Sequence, residues 1–448
     1  MKRLLLTIIL VSTALTVFAQ HRPDSLAEYH RSSLYSVLIP HPNLEYGNSI
    51  ASAFLNMPMP DKFDDHNLNI RAFESSAKRV KTKAKSKQKD KTNLADIESF
   101  ITNNSIAKNL WAKWFNRDPR TGVCNLNLIG ERGLYDASQL DISLADLTIM
   151  GREQLADRGE SLIGNTFLLV NDITFADTGK RTGIAAAILS IAGDIFSVAT
   201  GRDISPATDL VAMGVDMFDG FNVNVTSYLY RLAWDESRLQ DFYASYYVSA
   251  RHDDAERTRR REAFDAVSGA DTTLFRLEYV GRTTTMASIV SSKYFSNKSK
   301  DEQMFVACTR AVDKAIVQLQ REYEEFKVNV PIYRVNPDGT VDVQIGLKEG
   351  VNNRSTYEVL MPVIDNNGHM SYRKVGTLSP IEGKIWDNRF GALDEARARL
   401  DDPNAKTDSD AEGGNAFIDA TTFRVNGVAN VNNFIGCVVR EARVHRAN

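Results

Sequence analysis

The sequence predicts an α+β protein: a mixed α/β domain with an inserted apolar helical hairpin, followed by a small all-β domain of barrel or SH3-like type. Three observations lead there. From about residue 92 to 328, amphipathic helical patterns alternate with apolar strand-like runs, a pattern that layers helices on a sheet. After Val328 the apolar period becomes two, in short runs separated by Gly-containing turns. Between two of the strongest strand-like runs, 183–218 is far more apolar than its surroundings.

The opening residues, MKRLLLTIILVSTALTVFAQ, read as an export signal over 1–19. Lys2 and Arg3 form the charged start, Leu4 to Val17 the apolar stretch, and Val17-Phe18-Ala19 the cleavage site. That stretch is shorter than the roughly 20 residues a membrane-spanning helix needs, so cleavage is expected rather than anchoring. The first cysteine is Cys124, which leaves none at the cleavage site to carry a lipid, so a typical lipoprotein is not expected. Without Lys2 and Arg3, 52 basic side chains face 57 acidic ones, a balance that does not favour nucleic acid as a partner. Cys124, Cys308 and Cys437 all sit among apolar neighbours, as buried structural thiols do. Spacing alone leaves a single disulfide, such as Cys308 to Cys437, open.

Residues 20–77 are polar, contain Pro40, Pro42, Pro58 and Pro60, and show no sustained period; an irregular segment is expected. The run 78–91, KRVKTKAKSKQKDK, carries eight basic residues and one acid. It reads as a solvated basic linker, and Lys81, Lys83, Lys85 and Lys87 are its candidates for contact with an anionic surface.

The α+β domain, 92–328, opens with a helical face of Leu94, Ile97, Phe100 and Ile101. Ser105 then caps a helix bearing Leu110, Trp111, Trp114 and Phe115. A strand over Val123 to Ile129, a helix near Leu144 to Ile163 and a strand over Thr166 to Phe175 follow. Phe221 to Trp234 predicts another long strand, Asp235 to Val248 a helix, and Leu274 to Tyr279 a strand. Ser299 and Glu302 have capping-box spacing before a helix whose apolar face is Phe305, Cys308, Val312, Ile316, Leu319, Tyr323 and Phe326.

The β-domain, 329–448, is predicted from strands over Thr340 to Leu347, Tyr357 to Ile364, Tyr372 to Leu378, Ile385-Trp386, Ala416 to Val425 and Phe434 to Val444. Asn366-Asn367-Gly368 marks a hairpin between the second and third of these, and no helical run is expected.

The segments LIGNTFLLVNDITF, VTSYLYRLAWDESRLQDFYASYY, VACTRAVDKAIVQLQREYEEFKV and YRKVGTLSPIEGKIWDNRF resemble a family of exported proteins of the Bacteroidetes type that has no assigned activity. The likeness covers the chain from about residue 120 onward. It implies an envelope location and transfers no site residues. The order IGLKEGV, STYEVL, KVG is similar to SH3-like β-modules of bacterial envelope assembly proteins, including flagellar assembly and curli-secretion relatives.

Residues 183–218 read as a helical hairpin, GIAAAILSIAGDIFSVAT followed by Asp209 to Phe218. The first arm would be about 27 Å long as a helix. Ile184, Ile188, Ile191 and Phe196 are its candidate interaction residues. Asp194 at its centre would need a partner in a membrane, where an Asp costs roughly 3 kcal/mol. Asp408, Asp410, Glu412, Gly413 and Asp419 fall at the spacing of a calcium loop but with Asp at its last position and no flanking helix, and read as a solvated acidic loop. The seven histidines form no His-x-x-x-His pair, and phosphate-loop, dinucleotide and nucleophile-elbow patterns are missing from the sequence. The sequence assigns no catalytic, cofactor-binding or metal-ligating residue. The function expected is an exported, non-enzymatic cell-envelope binding or scaffold protein, in the periplasm or at the outer membrane. Its partners would be an envelope protein, a membrane surface or a second copy of itself, with no nucleic acid and no cofactor. The alternatives are a secreted hydrolase with a site assembled from distant residues and a soluble periplasmic ligand-binding protein.

Overall fold

The structure, a computed structural model, describes residues 32–76, 83–136, 162–176, 222–288, 297–327, 329–364, 370–401, 414–427, 434 and 436–442. It is a mixed α+β molecule. A five-stranded sheet has the order β2-β1-β3-β4-β5, from Ser32–Ile39 (β1), Phe63–Asp65 (β2), Thr166–Ala176 (β3), Asn222–Leu232 (β4) and Leu277–Ser288 (β5). β1 runs parallel to β2 and β3, and β3, β4 and β5 are antiparallel. The helices among the described residues are α1 (Gly47–Asn56), α2 (Lys83–Asn103), α3 (Ile106–Trp114), α4 (Asn127–Asp136), α5 (Glu236–Ser245), α6 (Asp254–Ala266), α7 (Lys300–Glu322) and α8 (Ala392–Leu400).

Strand residues alternate between two cores, because successive side chains point to opposite faces. Tyr35, Val37, Leu168, Val170, Tyr228 and Tyr230 pack on α2, α3, α5 and α6 through Phe100, Leu110, Trp111, Trp114, Phe242 and Phe264. Leu34, Leu38, Phe167, Leu169, Val225 and Leu229 pack on α1 and α7 through Phe54, Cys308, Val312, Ile316 and Leu319. Both faces of the sheet are therefore covered. The predicted capping box at Ser299 and Glu302 is present, and it starts α7 where the apolar stripe begins.

β1 contradicts the expectation of an irregular segment over 20–77. All eight of its residues are buried, including Ser32, Ser33 and Ser36. A parallel strand covered on both faces loses the polar-apolar alternation that would mark it in the sequence. The strand expected over Val123 to Ile129 is a single bridge from Val123 to Val248 followed by α4. Asn125 turns the chain there by accepting the Asn127 amide at 3.2 Å. β5 begins at Leu277 and runs on to Ser288, since Thr283, Thr284 and Thr285 bond across the sheet instead of ending it; Thr226 and Thr284 meet at 3.1 Å.

Residues 330–441 close a six-stranded antiparallel ring, in the order β12-β7-β6-β13-β8-β9. Its strands are Val330–Val335 (β6), Thr340–Val343 (β7), Tyr357–Ile364 (β8), Met370–Pro380 (β9), Thr421–Asn426 (β12) and Val438–Glu441 (β13), and the short pair Ile385–Trp386 (β10) and Gly414–Asn415 (β11) lies beside them. Val341, Val343, Val359, Leu378, Phe423 and Val439 fill the ring. The absence of a helix expected here is overturned by α8. Gly391 opens it at φ +75°, Asp394 and Glu395 lie in its first turn, and Arg397 and Arg399 in its last, matching the helix dipole. Among the described residues no helix is long and apolar enough to cross a membrane. The export signal 1–19, the hairpin 183–218, the turn 366–368 and Asp408, Asp410, Glu412 and Gly413 lie outside the described residues.

Candidate functional site

β1 and β3 are adjacent and parallel, yet the chain leaves them in opposite directions. β1 passes through α1 to β2 at the sheet edge, whereas β3 is reached through α2, α3 and α4 on the other face and continues into β4. Their carboxyl ends lie side by side at one end of the sheet. Asp172 of β3 lies there in register with Ile39, the last residue of β1. It is 2% exposed. His41 Nε2 lies 2.7 Å from its Oδ1, Lys89 Nζ lies 2.5 Å from its Oδ2, and the Asn93 amide donates to Oδ2 at 3.1 Å. The same amide donates to the Tyr228 hydroxyl at 3.1 Å. Burial by itself would raise the Asp172 pKa, but the His41 hydrogen bond and the Lys89 charge outweigh it and hold the carboxyl at about 2. The result is a buried carboxylate under two partly exposed basic side chains.

Lys89 revises the reading of 78–91 as a solvated linker. α2 starts at Lys83, so the second half of the run is helical. Lys, Ala and Gln are good helix formers, and one buried ion pair at Asp172 anchors the segment. Of the residues singled out from the sequence, Lys83, Lys85 and Lys87 fall in the opening turns of α2. Lys81 and the hairpin residues Ile184, Ile188, Ile191, Asp194 and Phe196 lie outside the described residues. Ala176 of β3 pairs with Asn222 of β4 in register, so 177–221 departs and returns at one point, the same end of the sheet as Asp172. Four residue steps along the strand, about 13 Å, separate Asp172 from Ala176.

A second cluster joins the sandwich to the ring. Arg321 of α7 donates to Glu441 of β13 at 3.0 Å and to the Gly350 carbonyl at 3.1 Å, and Arg440 meets Glu324 at 3.2 Å. Lys348 pairs with Asp61. Asp313 of α7 lies among Lys348, Glu349, Asp61 and Arg310. Burial is the main reason its pKa rises to about 7; Glu349 and Asp61 add to the rise, and Lys348 and Arg310 oppose it.

Several other reactive side chains among the described residues are buried. Cys124, Cys308 and Cys437 are buried thiols that form no disulfide, and burial pushes the Cys308 thiol up to about 12. His66 is buried with Nε2 3.1 Å from the Leu110 carbonyl and Nδ1 3.3 Å from Arg132. Nδ1 therefore accepts and Nε2 donates. Burial, with Arg132 nearby, lowers its pKa well below 6.5, so it is neutral. Asp419 of the acidic loop is paired with Arg334 at 3.1 Å. Among the described residues no three His, Cys, Asp or Glu side chains converge on a metal position.

The sequence reading missed His41, Lys89, Asn93 and Asp172. One trace was visible: Asn171-Asp172 interrupts the apolar strand TFLLVNDITF, and a polar pair inside a buried strand needs partners. Asn171 finds its partner on the opposite face, where Ser227 donates to it at 2.6 Å. The chain matches no protein-family model, and no curated protein is significantly similar to it.

Proposed function

We propose that this is an exported, non-enzymatic cell-envelope protein that binds an anionic membrane surface, or scaffolds other components there, through the carboxyl end of β1 and β3. One juxtaposition carries the reading. The apolar insert leaves and rejoins the sheet at Ala176 and Asn222, and the basic helix α2 is tied to Asp172 at that same end. Apolar and cationic segments side by side are what an anionic lipid interface attracts, at about 1 kcal/mol per basic residue near the surface. In this reading 183–218 forms the helical hairpin, Asp194 is sheltered by a partner or by a second copy of the chain, and the six-stranded ring is an SH3-like module facing other envelope components. The export signal delivers the protein to the periplasm or the outer membrane.

The test is fractionation of the native host followed by an alkaline carbonate wash, paired with vesicle sedimentation of the purified chain. Recovery in washed membranes, and binding to phosphatidylglycerol vesicles that exceeds binding to phosphatidylcholine by about tenfold, is the expected result. Recovery in the soluble periplasm, with equal and weak sedimentation on both vesicles, would remove the membrane from the account.

A further inference from the structure

A recessed cleft opens at the edge of the sheet, on the side facing α7. β2 pairs with β1 only from Ser32 to Leu34, and the chain meets β1 again at the bridge from Leu38 to Ala72. Side chains replace the missing strand in the gap. The Ser36 amide donates to Asn67 Oδ1 at 2.8 Å, and the Ser36 carbonyl accepts from Arg71 Nε at 2.7 Å. The edge is thereby satisfied, so an extended peptide cannot add to it. The cleft left between 57–60 and 65–71 is lined by Arg71, Asn67 and Asp65 on one side and by Phe54, Met57 and Val312 on the other.

Arg71 is half-buried, with its guanidinium carbon 5.5 Å from the Phe54 ring centre. Only Nε is used in a hydrogen bond; the terminal nitrogens have no partner among the described residues. A guanidinium presents a planar fork that fits a carboxylate. Asp65 accepts the Asn67 amide on Oδ1 at 2.7 Å, and Oδ2 makes no hydrogen bond among the described residues. Arg71 and Asp65 line one cleft without forming a salt bridge, although their charges are near enough to attract each other, and Lys113 and Arg132 also act on Asp65. Such a lining disfavours a dianion, which Asp65 repels, and a simple cation, which Arg71 repels.

We propose that this cleft binds a free α-amino acid with an apolar side chain. Its carboxylate sits on Arg71 and Asn67, its ammonium on Asp65, and its side chain against Phe54, Met57 and Val312. The site lies at the opposite edge of β1 from His41 and Asp172, so it goes beyond the membrane reading and stands or falls separately from it.

The experiment titrates the full mature chain with L-leucine, L-methionine and L-valine by calorimetry and saturation-transfer NMR. Leucinamide, which lacks the carboxylate, and 4-methylpentanoate, which lacks the amine, serve as controls. At least one amino acid is expected to bind saturably near or below about 1 mM, and both leucine analogues at least tenfold more weakly than leucine itself if leucine binds. Arg71→Gln and Asp65→Asn are each expected to weaken binding by about tenfold or more. No saturable binding of any of the three up to about 10 mM overturns the proposal, as does undiminished binding by a folded Arg71→Gln variant. Should that variant fail to fold for want of its bond to Ser36, Asp65→Asn and the amine-free analogue decide; binding unchanged in both overturns it.

Discussion

Asp172 is ionised in the interior because His41, Lys89 and Asn93 all point at it. Its folded pKa of about 2 lies below the ordinary 3.8, so the unfolded chain binds its proton more readily. The stability it contributes is complete above pH 4 and is lost as pH falls toward 2, at roughly 2 kcal/mol for a shift of this size. Asp172→Asn should therefore flatten the acid limb of a urea-unfolding series between pH 5 and 2. At pH 7 it should cost about 2–4 kcal/mol, since it leaves Lys89 beside a group that no longer balances it. An acid limb as steep as the wild type's would place the proton elsewhere. This residue also marks how far the site was legible in the sequence. Its oddity inside an apolar strand was visible, but its partners come from residues 131, 83 and 79 positions away in the chain, and no spacing rule connects them.

At the level of elements, legibility followed burial. α7 is legible in its cap, because the capping box is local, and in Cys308, Val312, Ile316 and Leu319 of its face, whereas Val306 to Thr309 are buried in succession and Tyr323 and Phe326 lie beyond its end. β1 is hidden from the sequence because both of its faces are buried, and α2 begins earlier than expected because Lys, Ala and Gln favour the helix. In the proposed reading this helix separates two roles within one basic run. Lys89→Glu sets a carboxylate against Asp172 and should lower stability by about 1–3 kcal/mol. Lys83→Glu with Lys87→Glu should leave the thermal midpoint within about a degree while reducing sedimentation with anionic vesicles severalfold. Equal losses of stability in the two variants would show that the whole run is structural. The junction of β5 with α7 offers a second check. A Cβ on Gly281 would lie 2.0 Å from the Tyr323 ring, whose hydroxyl bonds the Arg282 amide and carbonyl at 3.2 Å each. Gly281→Ala should cost about 1–3 kcal/mol, measured by urea unfolding, and Gly281→Ala with Tyr323→Phe should recover none of it because the ring remains.

At the scale of the whole molecule, the sandwich and the ring are joined by α7, which packs on the sheet and carries Arg321 and Asp313 to the junction. Three carboxylates, Asp61, Asp313 and Glu349, share the surroundings of Lys348, and Arg310 is already engaged by Glu395 at 3.5 Å. Asp313 is raised to about 7 in the folded protein against 3.8 ordinarily, so here the native state holds the proton more tightly. The sign is opposite to that of Asp172: stability from Asp313 is complete below pH 4, falls as pH rises through 7 and changes little above. His66 works the other way in the same range, because its folded pKa lies well below 6.5 and the unfolded chain takes up its proton first. The wild-type profile between pH 5 and 8 therefore mixes two trends, and the difference between Asp313→Asn and wild type isolates one. That difference should grow by about 1–3 kcal/mol in favour of the variant between pH 5 and pH 8, because the amide carries no charge to bury among Glu349 and Asp61. A difference that stays flat across this range, measured by thermal unfolding, would mean that Asp313 is ionised throughout and that the junction does not respond to pH.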